Sequence, residues 1–338
     1  MSKLPILFYS TIACWVFFAG SLYVFPTSLY GQACCSGGVP VSGGMGLAPA
    51  DQGVWQLQTT LDHQALGVLM QGGEILDRDG RTRHTQSLLL EVGYQWNQRW
   101  GFSMLGTAIR QSRIIHTQPD LPKDLTVNMG IGDAVALIRF FPVKTSDKTW
   151  AVALGPKVPT GSTNATDPSG ILLPPDLQTG TGTWDMIGWT LYQHQWKRNP
   201  NLTWSTMINH KISGQRNDYL GNQTYRFGDE TTLQSTWSFR QFLGAFLIDP
   251  LVGIRIRRLG QDIQNGQSVD NSGGMWVFGR IGTALRLTPR QYLRIQWDLP
   301  VYRMVTGVQL GPTSQINLMF YWEIPNSDHR SIPKQQPE

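Results

Sequence analysis

The residue types that most often perform enzyme chemistry occur in this sequence without the spacing that such chemistry needs. Its six histidines are His63, His84, His116, His194, His210 and His329. Nucleophilic catalysis requires a serine, threonine or cysteine beside a histidine that a third group orients. Neither a Gly-x-Ser-x-Gly nor a His-Glu-x-x-His motif is present, and no histidine pairs with a serine at strand spacing. We therefore expect no enzyme activity, no cofactor and no metal site.

A second set of candidate residues is charged and recurs on one side of segments that alternate in polarity. In 292–302, Leu293 and Ile295 fall on odd positions, whereas Arg294 and Asp298 fall on even ones. Because a β-strand points successive side chains to opposite faces, this pattern predicts one apolar and one polar face. The charged residues of such polar faces are Glu91, Asp133, Arg139, Lys157, Asp185, Arg255, Arg257, Arg280, Arg286, Arg294, Asp298 and Glu323.

The elements that must position these side chains are about twelve β-strands. Segments of about ten residues repeat the alternation from Val54 onward. The predicted strands are 53–62, 86–96, 100–110, 129–141, 149–157, 183–194, 201–211, 228–239, 242–258, 275–288, 291–303 and 313–324. Such a series predicts an all-β protein built from antiparallel neighbours.

The connections between the strands also alternate in length. The short connections are 97–99, 142–148, 197–200, 240–241 and 289–290, and the long ones are 63–85, 111–128, 158–182, 212–227, 259–274 and 304–312. Short turns at one end and long loops at the other are typical of a transmembrane antiparallel up-and-down β-barrel of the bacterial outer membrane. An even strand number places both termini at the short-turn end, which faces the periplasm.

Aromatic residues cluster near the short turns, as in the interfacial girdle of a membrane barrel. They are Trp96, Trp100, Phe140, Phe141, Trp150, Trp196, Trp204, Trp237, Phe239, Phe242, Tyr292 and Trp322. A soluble all-β sandwich or propeller also alternates in polarity, but it gives no reason for rings to gather at one end. No blade-length repeat is present. The pattern therefore favours the barrel over the soluble folds.

The composition agrees with a membrane barrel. Charged residues make up 15% of the 338 residues, against roughly 25% in soluble domains. The mean hydropathy of −0.22 is too polar for a bundle of membrane helices. The net charge of +5 is spread along the chain rather than clustered, so no nucleic-acid partner is expected. The expected partners are outer-membrane lipid and a small solute, and the sequence leaves the oligomeric state open.

The charged polar faces have two interpretations inside a barrel. Charges in a narrow lumen can pair across it and brace the wall. They can also form a constriction that selects anionic or polar solutes. Eight strands leave a filled interior and 16 to 18 leave an aqueous channel. Twelve strands lie between these cases, so the sequence predicts a narrow or gated passage.

The N-terminal region predicts export. Lys3 precedes an uncharged run, and Gly31-Gln32-Ala33 supplies small residues for cleavage, so 1–33 is predicted to be a signal peptide rather than an uncleaved anchor. Cleavage would make Cys34 the first residue, which allows lipidation. The Gly-rich stretch 34–52 is expected to be a periplasmic lead-in or a segment tucked into the barrel mouth. The barrel is expected at 53–324 and a periplasmic tail at 325–338.

Three motifs resemble those of a known family. Gly130-Ile131-Gly132-Asp133 begins a strand, Lys157-Val158-Pro159-Thr160-Gly161 leaves another, and the run 178–185 enters the next. They resemble an outer-membrane family described as transporters of the phenol-degradation meta pathway, over roughly 128–300. The resemblance implies a channel for small, often aromatic or hydrophobic compounds. Asp133 and Asp185 can equally brace the rim through turn hydrogen bonds.

Three functions follow as expectations. The preferred one is passive passage of a small solute, with the long loops, above all 158–182, closing the outer mouth. A structural or adhesive barrel with a closed lumen is the first alternative. A membrane lipid hydrolase is the second, and the histidine spacing argues against it.

Overall fold

The computed structural model describes residues 46–47, 49–77, 81–115 and 124–325. Three expectations lie outside these residues: the signal peptide at 1–33, lipidation of Cys34, and the tail beyond Pro325. Within the described residues, no helix is long and apolar enough to cross a bilayer.

The described chain forms a closed wall of twelve strands. They are β1 Val54–Gln71, β2 Thr82–Gln95, β3 Trp100–Ile115, β4 Asp124–Ile131 with Ala134–Lys144, β5 Lys148–Val158, β6 Asp185–Trp196, β7 Asn199–Ile212, β8 Glu230–Phe239, β9 Phe246–Leu259, β10 Gly274–Thr288, β11 Gln291–Val305 and β12 Val308–Pro325. Strand β4 is interrupted at Gly132 and Asp133. The prediction of an all-β barrel with twelve antiparallel strands is confirmed.

Pairing between the first and last strands closes the wall. Each strand pairs antiparallel with its neighbour in sequence, and β12 pairs with β1 from Val54 opposite Pro325 to Gln71 opposite Val308. Closure leaves no long free sheet edge, which a bilayer would not tolerate because it cannot hydrogen-bond unpaired backbone groups.

The outward face is apolar and the inward face is largely polar. On β1, Gln56, Gln58, Thr60 and Asp62 are buried in the interior, whereas Trp55 and Leu61 project outward. The outward belt continues around the wall through exposed Leu90, Met104, Ile138, Leu154, Ile208, Val252, Ile281 and Ile295. A soluble protein rarely exposes an apolar surface of this extent. The belt is therefore the surface that lipid solvates.

An aromatic girdle surrounds the short-turn end of the barrel. The rings of Trp196 and Trp237 stack at 5.0 Å, and those of Trp100 and Phe140 lie 4.6 Å apart. Two predicted members are wrong, because Phe141 is buried in the interior and Tyr292 lines an internal cavity. Their positions in the two-residue repeat place both side chains on the inward face.

Several strands rise further toward the long-loop end than the sequence predicts. The long connection predicted at 304–312 is wrong, since β11 and β12 meet at a tight turn of Thr306 and Gly307. Gly307 has φ +71°, a conformation that glycine adopts without strain. Strand β1 likewise continues to Gln71, where a short strand, Glu74–Asp77, folds back on it.

Two structures cover the long-loop end. The plug loop, residues 159–184, contains the 3₁₀ helix Pro175–Leu177, which is buried. The outer cap is a four-stranded sheet of Gln215–Tyr219, Gln223–Arg226, Ile263–Gln264 and Gln267–Ser268. The cap joins the β7–β8 connection to the β9–β10 connection, so two loops that are distant in sequence form one structure.

We predict that an arginine in the outward belt destabilises the barrel according to its depth. Ile281 lies midway along β10 and is 51% exposed, whereas Leu287 lies near the short-turn end and is 52% exposed. Ile281→Arg should lower the free energy of unfolding by about 2–4 kcal/mol, and the matched Leu287→Arg by about 0–1 kcal/mol. Urea titration in lipid vesicles measures both values. Equal losses at the two depths would contradict a lipid-facing belt.

Candidate functional site

The interior of the barrel carries two apolar clusters as well as charged side chains. Strands β2 to β6 contribute an apolar cluster whose buried members are Leu89, Leu105, Val135, Leu137, Phe141, Ala151, Ala153, Ile187 and Trp189. Leu191 and Met207 pack against this cluster. Strands β8 to β12 and β1, here called the charged side, supply the Asp298 network. Strands β1 and β9 to β12 also contribute a second apolar cluster of Leu66, Val68, Met70, Leu259, Trp276, Phe278, Val305 and Leu310. Any solute in the lumen would therefore meet an apolar and a charged surface at once.

A network around Asp298 occupies the middle of the charged side. Arg280 donates from Nε and Nη2 to the Asp298 carboxylate at 2.7 and 2.9 Å, and Arg255 Nε lies 3.1 Å from Asp298 Oδ2. All three side chains are buried. One carboxylate on β11 thus pairs with two guanidinium groups, one on β9 and one on β10. The pairing offsets the cost of burying these charges.

Amide side chains extend this network to neighbouring strands. Arg280 Nη1 donates to Gln234 Oε1 at 2.7 Å, and Arg255 Nη2 donates to Gln315 Oε1 at 2.5 Å. Gln315 Nε2 in turn donates to Asp62 Oδ2 at 2.5 Å. The connected side chains reach from β8 to β1, half of the wall. They brace this half of the wall and narrow the lumen at this level.

A second buried network lies below the plug loop. Lys157 Nζ lies 2.5 Å from Asp133 Oδ2 and 3.1 Å from Asp185 Oδ2, and it also donates to Thr181. Nearby, Arg257 Nε donates to Glu230 Oε1 at 2.7 Å. The interruption of β4 turns Asp133 inward, because Gly132 N–H bonds to the carbonyl of Thr107 at 2.9 Å.

Asp133 holds both ends of the plug loop. Its Oδ1 accepts from Gly161 N–H at 3.0 Å, and its Oδ2 accepts from the N–H and hydroxyl of Thr181 at 3.1 and 2.9 Å. The backbones of Gly161 and Gly180 pass so closely that a Cβ on either would overlap the other. The rim-bracing interpretation of Asp133 and Asp185 thus agrees with the geometry, and their contact with solute stays a prediction.

Further hydrogen bonds tie the plug loop to β2, β3 and β4. Arg83 pairs with Asp176, Gln111 Nε2 donates to the carbonyl of Gln178 at 3.1 Å, and Asn128 Nδ2 donates to that of Leu177 at 2.7 Å. Side-chain and backbone polar groups dominate these attachments. Such a loop can detach at a lower cost than one held by a large apolar core, because water satisfies the freed groups.

We predict that Asp133→Ala loosens the plug loop. The substitution removes three contacts to the plug loop and leaves Asp185 as the one carboxylate among the described residues that still pairs with Lys157, so the free energy of unfolding should fall by about 3 kcal/mol. Chymotrypsin should then cut after Leu177, which is buried in the folded loop and is followed by Gln178. The matched control is Asp167→Ala, because the Asp167 carboxylate accepts from the N–H groups of Ser169 and Ile171 within the loop tip. Equal protection in both variants would contradict the anchoring role.

The outer cap has its own buried carboxyl group. Asp262 accepts from the Tyr225 hydroxyl at 2.5 Å and from Gly228 N–H at 2.8 Å. Burial raises the pKa of Asp262 from 3.8 to about 6, although both hydrogen bonds act in the opposite direction. Burial also raises the pKa of Tyr225, so its hydroxyl remains a donor. The hydrogen bond between Tyr225 and Asp262 therefore joins the two loops that form the cap.

The end of the N-terminal lead-in lies inside the barrel. Leu47 and Ala50 are buried, and Gly46 N–H donates to Glu91 Oε2 at 3.2 Å. Gly93 makes room for this segment, because a Cβ there would overlap Leu47. Lys144 also bonds to the carbonyl of Ala50. Of the two expectations for the lead-in, a segment tucked into the mouth agrees with the residues described at 46–47 and 49–50.

A cavity of about 210 Å³, the vestibule, lies between the Asp298 network and the short-turn end. Its lining residues are Gly46, Gln58, Leu191, Gln193, Asn201, Thr203, Ser205, Met207, Gln234, Thr236, Ser238, Arg240, Asp249, Leu251, Arg280, Ala284, Arg286, Tyr292, Arg294, Gln296 and Met319. Asn201 is exposed at the short-turn rim. The vestibule therefore opens to water at that end.

The structure places all twelve candidate charged residues on the inward face, but not in one site. Glu91 and Arg139 lie beside the lead-in, Asp133, Lys157 and Asp185 below the plug loop, and Arg257 beside Glu230. Arg255, Arg280 and Asp298 form the central network. Arg286 and Arg294 line the vestibule. Glu323 lies near the short turns and accepts from the Tyr321 hydroxyl at 2.8 Å.

Sequence reasoning missed several buried charged residues. Arg83 lies in a segment that the sequence predicts to be a loop, yet it continues the inward series of Thr85, Ser87, Leu89 and Glu91. Extending the two-residue repeat would have found it. Asp176, by contrast, lies in a loop without periodicity. No local signal indicates its burial against Arg83.

The described histidines do not form a hydrolase site. The rings of His63 and His84 stack on the outward face with their centres 5.5 Å apart. His194 Nδ1 lies 3.2 Å from the carbonyl oxygen of Asp147. His210 Nδ1 lies 2.9 Å from Thr231 Oγ1. Within the described residues no hydrogen bond joins His210 to an orienting carboxylate, and no group of three residues that could hold a metal ion occurs. The absence of catalysis stays a prediction.

Comparison with solved structures gives a match with a TM-score above 0.5, and that match supports the fold. The barrel superimposes on an outer-membrane channel from Pseudomonas putida F1 with a TM-score of 0.59 and 13% identity, over 82% of this chain and 100% of that chain. The β-domain of the Bordetella autotransporter BrkA gives 0.43 at 11% identity, over 81% and 100%. The NanC porin gives 0.41 at 9%, over 79% and 100%.

Sequence comparison adds no family assignment. No protein-family model matches the chain, and a search of curated proteins gives no significant match. The resemblance to the phenol-degradation family therefore stays a prediction. The barrel is one of the outer-membrane type.

Proposed function

We propose that this protein is a gated passive channel for small solutes in the bacterial outer membrane. The observation that supports this best is the water-accessible vestibule inside a closed barrel, with a plug loop at the opposite end. Passage requires no cofactor, because the solute moves down its own gradient. The periplasm lies at the short-turn end in this proposal, where β1 begins and β12 ends.

The plug loop would act as the gate. It is attached mainly by Asp133, Gln111, Asn128 and Arg83, all of which point into the upper lumen. Release of these contacts would open a path from the outer mouth, past Lys157, to the vestibule. The lumen would then be narrow, with the Asp298 network as its constriction.

We further propose that the solute has an apolar or aromatic part. Ile187 and Trp189 of the apolar cluster face the interior, and Leu191 and Met207 continue that side into the vestibule. A lumen meant only for hydrophilic solutes needs no apolar side. This agrees with what the family resemblance implies, and it does not specify one compound.

A closed structural or adhesive barrel is the second candidate. The buried Asp298 network favours it, because Arg255, Arg280, Gln315 and Asp62 are joined by contacts that narrow the lumen at its level. In that case the plug loop and outer cap would present a fixed binding surface, and no conformational change would open the barrel.

A disulfide between the wall and the plug loop separates these candidates. A Cβ built on Gly130 lies 3.8 Å from Thr179 Cβ, about the mean distance in a disulfide. We predict that oxidised Gly130→Cys/Thr179→Cys protein, with Cys34 and Cys35 changed to serine, loses most of its conductance in planar bilayers. Reduction should restore it.

The matched control is Thr179→Cys alone, given the same oxidant and reductant. A channel with a mobile plug loop conducts in the control and in the reduced double variant. Oxidised double-cysteine protein that conducts as well as its reduced form would show that this loop is not the gate. A barrel that is silent in every form would favour the closed alternative.

A further inference from the structure

The charges around the vestibule are not balanced. Its lining includes four arginines and one aspartate within the described residues. Asp249 is shared by Arg240 and Arg286, at 3.1 Å and 3.0 Å. Asp298 forms ion pairs with both Arg280 and Arg255. Each carboxylate therefore faces two guanidinium groups, and the vestibule carries an excess of positive charge.

Arg294 has no carboxylate on either neighbouring strand at its level. In the sheet register it lies between Ala284 of β10 and Met319 of β12, whose side chains carry no oxygen acceptor. Its guanidinium carbon is 5.2 Å from the centre of the Tyr292 ring, and within the described residues its Nε has no hydrogen-bond partner. A guanidinium fork in this position is suited to a planar oxyanion, which it can bind with two parallel hydrogen bonds.

The vestibule also offers an apolar surface to the same ligand. Leu191 and Met207 line it and continue into the apolar cluster that contains Trp189. Its volume of about 210 Å³ is below the roughly 300–1,000 Å³ of sites for drug-sized ligands. The ligand that fits both surfaces is a small organic anion with one compact apolar part.

We propose that the vestibule is a binding subsite for small organic monocarboxylates, with Arg294 as the group that binds the carboxylate. This rests on the proposed channel function and specifies its solute class. Arg286 of β10 lies opposite Tyr292 of β11, and Tyr292 is two residues before Arg294. Arg286 therefore lies near Arg294 and adds to the positive potential. The apolar part of the ligand lies against Leu191 and Met207.

Three probes with one ring and different charges test the proposal. Benzoate is an anion, benzamide is neutral and benzamidine is a cation. Calorimetric titration of the full-length protein in detergent should show benzoate binding at least about tenfold more tightly than benzamide, as expected from one charge-assisted pair. Benzamidine should bind most weakly. Equal affinities for the three probes would overturn the proposal.

Substitution of Arg294 assigns the preference to one residue. Arg294→Gln should remove the roughly tenfold preference for benzoate, and Arg294→Lys should retain part of it, because lysine keeps the charge without the fork. The matched control is Arg258→Gln, which removes an exposed arginine outside the vestibule and should leave binding unchanged. Retention of the full preference in Arg294→Gln would overturn the role of Arg294.

The binding measurement is independent of transport. Heat-modifiable migration in gels establishes that each variant is folded, and Arg294→Lys remains informative if the glutamine variant does not fold. Benzoate binding by a barrel that never conducts would refute the channel and leave the subsite standing. Conductance without any preference for benzoate would support the channel and refute the subsite.

Discussion

Backbone groups inside a bilayer must find hydrogen-bond partners within the protein, and every other feature of this molecule depends on that constraint. The pairing of β12 with β1 meets it by closing the sheet. Once the sheet is closed, the two-residue repeat of each strand assigns alternate side chains to lipid and to a lumen. The outward belt and the polar interior therefore have the same origin.

Closure brings charged side chains into a confined space, where they require partners. On three adjacent strands, Asp298 pairs with Arg255 and Arg280. Below the plug loop, Lys157 pairs with Asp133 and Asp185. Removing one member of such a network leaves an unpaired charge buried in the protein, so these networks are costly to break. Arg294 differs, because Ala284 and Met319 flank it. The contrast separates bracing residues from the residue that we propose binds a solute.

The number of strands and the direction of their faces could be predicted from the sequence, since each depends on local alternation. The partners of the charges could not. Arg280 meets Asp298 only because of the β10–β11 register, and Arg83 meets Asp176 only because the plug loop folds over β2. The tight turn at Thr306 and Gly307 could not be predicted, because residues 309–312 at the start of β12 are all buried and do not alternate. Asp133 was found through its glycine-rich setting.

Accessibility of single cysteines along β11 tests the alternation most directly. In reconstituted protein without its natural cysteines, a membrane-impermeant thiol reagent should modify Tyr292→Cys and Gln296→Cys, which line the vestibule. It should not modify Ile295→Cys or Trp297→Cys, which project outward. Equal modification at all four positions, or the reverse pattern, would contradict a lipid-facing belt around a water-filled lumen.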